Sequence, residues 1–268
     1  MANASEAALE VHPQPNSVSA IQAGVAAGRN PWTGHLVLVC ARSFLLVASQ
    51  GLMALVLWAL HRPDPWHAAG AWWNVYGTLV DIGCLSGMIY FTRREGIRLR
   101  DLLGPVRLRH GRDIFLGLGY FLLAFPFFIG GSYVARLLLY HSPQHDLNAT
   151  LIHAHTLPIW AVVYSLTVWW LIWSPVEEAT YQAYAMPRLQ ALTGRTWIAF
   201  AITAFWWTAQ HCALPFLADW RFQAFRFLMF LPGVVVLMLI YMRTRRLGPL
   251  IIAHWPMDIL ASVMAAFS

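Results

Sequence analysis

The chain has 268 residues, 59% hydrophobic and only 11% charged, with a mean hydropathy of +0.54. Soluble domains carry about a quarter charged residues, so a water-soluble globular protein is excluded and a polytopic membrane protein is expected. The net charge is +6 and all 18 cations are arginine, but no basic helix or aromatic-basic module accompanies them, so nucleic acid is not an expected partner.

The first 34 residues are rich in Ala, Ser, Asn, Pro and Gly and carry Glu6 and Glu10. No basic stretch followed by an apolar run opens the chain, so no cleaved signal peptide is expected. Composition predicts a flexible tail over 1–34 and a transmembrane helical domain over 35–268. A spanning helix needs about 20 mostly apolar residues. Such stretches fall at 36–60, 71–91, 113–139, 159–174 running on into 175–192, 196–214, 224–242 and 247–267. The expected fold is therefore all-α, a polytopic transmembrane bundle of about seven to eight spans. Segment 159–192 is too long for one straight crossing. Pro175 is expected to kink it, because proline lacks a donor and clashes with the carbonyl of Leu171.

Arginine placement sets the orientation. Arg93, Arg94, Arg98, Arg100, Arg107, Arg109 and Arg112 crowd one loop, and Arg188, Arg195, Arg243, Arg245 and Arg246 mark two further turns. The loops between them, 61–70, 140–158 and 215–223, hold only Arg62 and Arg221. Seven spans with the N-terminus in the cytoplasm and the C-terminus outside satisfy the positive-inside rule. The absence of lysine fits a GC-rich bacterial genome, which makes the inner membrane the expected location. Ile97 to Leu108 mixes apolar residues with arginine, as an interfacial amphipathic helix does. Trp72, Trp73, Trp169, Trp170 and Trp255 lie near span ends and read as interface anchors. Gly83 and Gly87 form a GxxxG, a close-packing pattern. Cys40, Cys84 and Cys212 are isolated in apolar sequence and read as buried thiols. His141, His145, His153 and His155 share one loop, but nothing in their spacing fixes a metal geometry.

Ionisable residues inside spans are costly and need a partner or a role. Three hydrophobic segments carry them. The first contains Ser-Pro-Val-Glu-Glu-Ala-Thr-Tyr-Gln, residues 174–182. Neighbouring helical positions diverge by about 100°, so Glu177 and Glu178 cannot both face one cavity centre, whereas Glu178 and Gln182 share a face. One carboxylate is then free for acid–base chemistry while the scaffold holds the other. The plain alternative is an acidic helix start favoured by the macrodipole. The second segment carries Trp207 and His211, four apart. The third carries His254 and Asp258, also four apart, a spacing at which the carboxylate can accept from the imidazole and fix its tautomer. A self-satisfied pair packing one helix on another is equally compatible with that spacing. At ~1.5 Å per residue, Glu177 lies ~16 Å of helix from Arg188 and His254 ~12 Å from Arg246, depths consistent with one shared cavity. His211, ~24 Å from Arg195, joins them only with tilt or a late helix start. No HExxH is present, which disfavours an ordinary zincin.

These three motifs, in this order, resemble the signature of the CPBP membrane proteases, the CaaX-protease and bacteriocin-processing family formerly called Abi, which includes the Ras-converting CaaX endopeptidases. The resemblance covers about residues 100–266. It implies an all-helical bundle in which Glu177 is the general base, His211 its partner, and His254 with Asp258 the oxyanion side. Glu178, Gln182 and Trp207 would support them, with no cofactor and no metal. Three positions depart from the family pattern. Gln182 stands where arginine is usual, Trp207 where phenylalanine is usual, and Asp258 where asparagine is frequent. Asp258 can donate to an oxyanion only when protonated.

The expected function is an intramembrane endopeptidase acting on a membrane-associated peptide or protein. A zinc hydrolase using His211, His254 and a carboxylate is a chemically reasonable alternative. Gln182 and Asp258 favour a weakly active or inactive membrane adaptor on the same fold, and buried acids with histidines also serve proton-coupled carriers. Nothing in the sequence speaks to substrate identity or oligomeric state.

Overall fold

The computed structural model describes residues 14–30, 32–103, 110–144 and 157–267, and every regular element among them is helical. Eleven α-helices among the described residues run in chain order: α1 Val18–Ala26, α2 Thr33–Ala59, α3 Pro65–Gly70, α4 Trp73–Arg94, α5 His110–Tyr140, α6 Ile159–Thr167, α7 Trp169–Glu178, α8 Met186–Thr193, α9 Thr196–Gln210, α10 Trp220–Thr244 and α11 Leu247–Phe267. A π-helix, Ala179–Ala185, joins α7 to α8, and a 3₁₀ turn, His211–Ala213, ends α9.

Among the described residues five helices (α2, α4, α5, α10 and α11) are long and apolar enough to cross a membrane, and α6 with α7–α8 makes a sixth if the bent pair is one span. This is fewer than the seven to eight expected. The shortfall lies at 196–214, where α9 has only 15 residues. At ~1.5 Å per residue it is about 22 Å long, short of a hydrocarbon core of about 30 Å. Hydropathy continues past Gln210, but the backbone leaves the helix at His211.

The motif-bearing segment is bent, as expected, but at a different residue. The 46° bend separates Ile159–Thr167 from Trp169–Thr193, so the break is at Val168 (φ −109°, ψ −42°). Pro175 sits inside α7. The chain tightens at Val168, where Leu171 N–H donates to Val168 O across three residues, so the helix axis has already turned before the proline.

Small residues set the helix spacings. A Cβ on Gly131 of α5 would lie 2.6 Å from the carbonyl oxygen of Met229, and one on Gly117 would meet Ile252 and Pro249. Helix α5 can therefore lie against both α10 and α11. The GxxxG of α4 packs on α2, with Gly83 facing Leu45 and Gly87 facing Leu38. Outward faces carry Phe44, Trp58, Phe115 and Leu122, each at least 66% exposed, an apolar surface suited to lipid. Trp73 and Trp169, expected as interface anchors, are instead buried and packed edge-to-face at 4.7 Å. Hydropathy alone does not separate an indole facing headgroups from one filling a core.

Part of the expected tail is helical. Ser17 caps α1 by accepting from Ala20 N–H, and Asn16 ties this end to the π-helix through Ala183 O (2.9 Å) and to Arg188 (3.0 Å). Arg188, expected as a topology marker, is fully buried and forks onto Glu95 at 2.5–3.0 Å. Helix α8 closes at Gly194, whose φ of +66° is the left-handed conformation that glycine adopts without strain. Of the segment expected as an amphipathic helix, 104–108 lies outside the described residues, and Leu99–Leu103 is a short 3₁₀ turn.

Candidate active site

The three polar motifs meet. Glu177 and Glu178 end α7, His211 begins the turn after α9, and His254 and Asp258 lie mid-way along α11. Glu177 and Glu178 are fully buried, and His211, His254 and Asp258 are each only 7% exposed. Burying this many ionisable groups is expensive unless each is paired, and the pairing is extensive.

Glu177 Oε1 accepts from Trp207 Nε1 at 2.5 Å. The same oxygen lies 3.9 Å from His211 Nε2 and 3.9 Å from His254 Nε2. Those separations are too long for direct hydrogen bonds and are of the length that a bridging water would span. Glu178 turns to the other edge of the same imidazole, with Oε1 3.0 Å from His254 Nδ1, while Oε2 accepts from Gln182 Nε2. The divergence read from the sequence is thus real, yet both carboxylates face one histidine from opposite sides. The π-helix begins immediately after Glu178; such insertions re-aim side chains and recur at functional sites.

Asp258 was expected to fix the tautomer of His254. Its Oδ1 is 3.6 Å from His254 Nε2, beyond a hydrogen bond, and the close partner of the ring is Glu178. Asp258 Oδ2 instead accepts from Ser174 Oγ at 2.5 Å. Shared helical faces bring i and i+4 side chains near each other, but here each finds a better-aligned partner on α7.

His211 is held by its surroundings rather than by its helix. Its ring stacks on Phe230 at 3.7 Å, and Arg226 donates to the carbonyls of His211 (3.0 Å) and Leu214 (2.7 Å). Gln50 clamps the following loop to α2, accepting from Phe216 N–H at 2.7 Å and donating to Phe216 O at 3.1 Å. The clamped turn carries His211 to 3.9 Å from Glu177, past the end of a short α9.

One cation reaches the cluster from elsewhere in the chain. Arg42 on α2 is fully buried; Nη1 donates to Asp81 Oδ1 of α4 at 2.8 Å, Nε to Gln210 Oε1 at 2.7 Å, and Nη2 lies 3.5 Å from Glu177 Oε2. Its guanidinium lies over the Trp173 ring, 4.2 Å from the centroid. Ser174, Gln210 and Phe230 were not singled out, and a lone serine or phenylalanine in an apolar run gives no signal of such contacts.

Among the described residues no three His, Cys, Asp or Glu side chains are grouped so as to hold a metal ion. His145, His153 and His155 of the histidine-bearing loop lie outside the described residues.

Fold and site together define an integral, multi-pass, all-α membrane protein with a buried carboxylate–imidazole cluster. Residues 147–260 match the family described as Type II CAAX prenyl endopeptidase Rce1-like, in line with the CPBP and CaaX-protease resemblance. The matched stretch holds Glu177, Glu178, His211, His254 and Asp258, and it supports a protease, a hydrolase of peptide bonds. No curated protein and no solved structure matches the chain.

Proposed function

We propose that this chain is an intramembrane endopeptidase that hydrolyses a peptide bond of a membrane-associated peptide or protein with a water activated by Glu177. The observation that carries this reading is the placement of Glu177 Oε1 at 3.9 Å from both imidazole Nε2 atoms. A water in that position is oriented by three groups at once, and no covalent nucleophile is required.

Glu177 takes a proton from the water as its oxygen bonds to the substrate carbonyl carbon. The oxyanion that forms needs a donor within hydrogen-bonding distance. His254 supplies it from Nε2 when its ring carries both protons, with Glu178 accepting the Nδ1 proton. Glu177 then passes its proton to the leaving nitrogen as the C–N bond breaks. His211 orients the water from the opposite side, its ring fixed on Phe230. Four carboxyl groups (Asp81, Glu177, Glu178 and Asp258) face one guanidinium and two imidazoles. With Arg226 at the His211 carbonyl counted as well, full ionisation would leave a net negative charge unless both imidazoles are protonated, and such a charge is costly in a bilayer interior. Sharing a proton among the carboxyls relieves it and lets Asp258 serve as a second donor to the oxyanion.

Orientation follows from the spans on either side of the arginine-rich turns. Helix α4 ends at Arg93 and Arg94 and α10 at Arg243; the positive-inside rule favours the cytoplasmic face for both ends, which requires short α9 and the loop after it to carry the chain back across the membrane between α8 and α10. The N-terminus then lies in the cytoplasm, and a bacterial inner membrane is the location that suits the lysine-free composition.

The test is a survey of new peptide termini in membranes of host cells carrying wild type or Glu177→Gln at equal abundance. Termini produced only by wild type are expected, and they identify the substrate. Identical profiles, with both proteins folded, would favour an adaptor.

A further inference from the structure

Arg42 and Asp81 both lie outside the matched stretch of 147–260, and the water-activating scheme above does not use them. Both are buried, Arg42 with no exposure and Asp81 with 1%. A buried ion pair is by itself weak evidence of anything beyond helix packing, since desolvation offsets much of the attraction. The fork of this guanidinium does more than join α2 to α4. Three of its nitrogens address three different elements: Nη1 the carboxylate of Asp81, Nε the amide of Gln210, and Nη2 Glu177 Oε2.

Gln210 directly precedes His211, and Glu177 carries the oxygen that faces both histidines. One planar group therefore contacts the two segments whose relative placement defines the water position. Glu177 is held at both oxygens, Oε2 toward Arg42 and Oε1 by Trp207. A carboxylate restrained this way cannot rotate Oε1 away from His211 and His254. Asp81 fixes the guanidinium in turn, and the flat face of Trp173 closes it off at 4.2 Å. The close α2–α4 approach at Gly83 and Gly87 brings the pair together.

We propose that Arg42, anchored by Asp81, is a positioning residue for Glu177: it holds the carboxylate in the rotamer that presents Oε1 to the water, and it supplies the compensating positive charge. This rests on Glu177 being the base. The fork geometry matters as well as the charge, because an ammonium cannot address three partners in one plane.

The experiment uses the full chain in lipid nanodiscs, with a quenched-fluorescent peptide spanning the cleavage site found in the terminal survey. Arg42→Gln is expected to lower kcat about 10–100-fold, the range for a lost hydrogen bond to a charged group, with KM within about threefold. Arg42→Lys should recover part of that loss, and millimolar guanidinium should partly rescue Arg42→Ala. Removing one partner of a buried pair can unfold a protein. For that reason the doubly neutral Arg42→Gln/Asp81→Asn is measured too, and it should fold yet remain slow. A second readout does not need turnover. The infrared carboxylate band of Glu177, defined by subtracting the Glu177→Gln spectrum, should shift in Arg42→Gln and stay put in Arg246→Gln, whose partner is Asp113. A doubly neutral variant with wild-type kcat, or an unmoved Glu177 band, would overturn the proposal. If wild type cuts nothing, the endopeptidase reading fails, and the infrared band alone decides whether Arg42 restrains Glu177.

Discussion

Glu178 Oε1 lies 3.0 Å from Nδ1 of His254, and this contact leaves Nε2 as the ring nitrogen free of a direct hydrogen bond. With Nδ1 committed to Glu178, Nε2 faces Glu177 Oε1 at 3.9 Å. Two adjacent glutamates thus meet one histidine at different ring nitrogens. Under the proposed endopeptidase scheme one anchors the ring, and the other works with the nitrogen that the anchor leaves free.

That division predicts unequal losses. Glu177→Gln removes the proton acceptor and should lower kcat by about 10²–10⁴-fold, the range for a general base. Glu178→Gln keeps a hydrogen-bond partner for Nδ1 but not the charge, and should cost only about 10–100-fold. Initial rates on one peptide substrate, with both variants in the same lipid, give the comparison. Equal losses would remove the distinction between anchor and base.

Ser174→Ala deletes the donor that holds Asp258 Oδ2 at 2.5 Å, from a serine that is itself fully buried. The expected cost is about 1–3 kcal/mol of stability, seen as a lower midpoint in thermal unfolding followed by tryptophan fluorescence. An unchanged midpoint would mean that Asp258 finds another partner.

Helix spacing can be tested apart from chemistry. Gly131→Ala would push a methyl to 2.6 Å from the Met229 carbonyl oxygen, whereas Gly130→Ala meets nothing within 4 Å. The first should destabilise the protein by about 1–3 kcal/mol through overpacking, and the second should be near neutral. Comparable melting of the two variants would contradict the α5–α10 packing.

Metal dependence separates the glutamate scheme from a zinc hydrolase. Cleavage is expected to survive treatment with EDTA and 1,10-phenanthroline. Loss of activity that added zinc restores would instead make His211 and His254 ligands.

Much of the site was legible because intramembrane charge is rare and each instance requires a reason. Glu177, Glu178, His211, His254 and Asp258 stood out on that ground, and the i,i+4 rule found the Glu178–Gln182 contact. The same rule misdirected the reading of His254 and Asp258, since it gives proximity and not alignment, and Glu178 offered the ring a shorter contact. Ser174 was hidden because a serine four residues from Glu178 looks like any helix-packing residue until Asp258 arrives from another helix. The span count failed at α9 for a related reason. The apolar run resumes at Cys212–Leu214 after Gln210 and His211, but the α-helix ends at Gln210, and Gln50 clamps the loop that follows at Phe216. The bend at Val168 also left no mark, because it carries neither proline nor glycine, whereas the signal fell on Pro175, inside α7.

The measurement closest to the central claim is cleavage of a single peptide substrate, taken from the terminal survey, by the purified chain in nanodiscs. Wild type and Glu177→Gln are compared at matched folded concentration. The account predicts one new terminus made by wild type and a rate at least ~100-fold lower for Glu177→Gln. Cleavage by Glu177→Gln at the wild-type rate would contradict it.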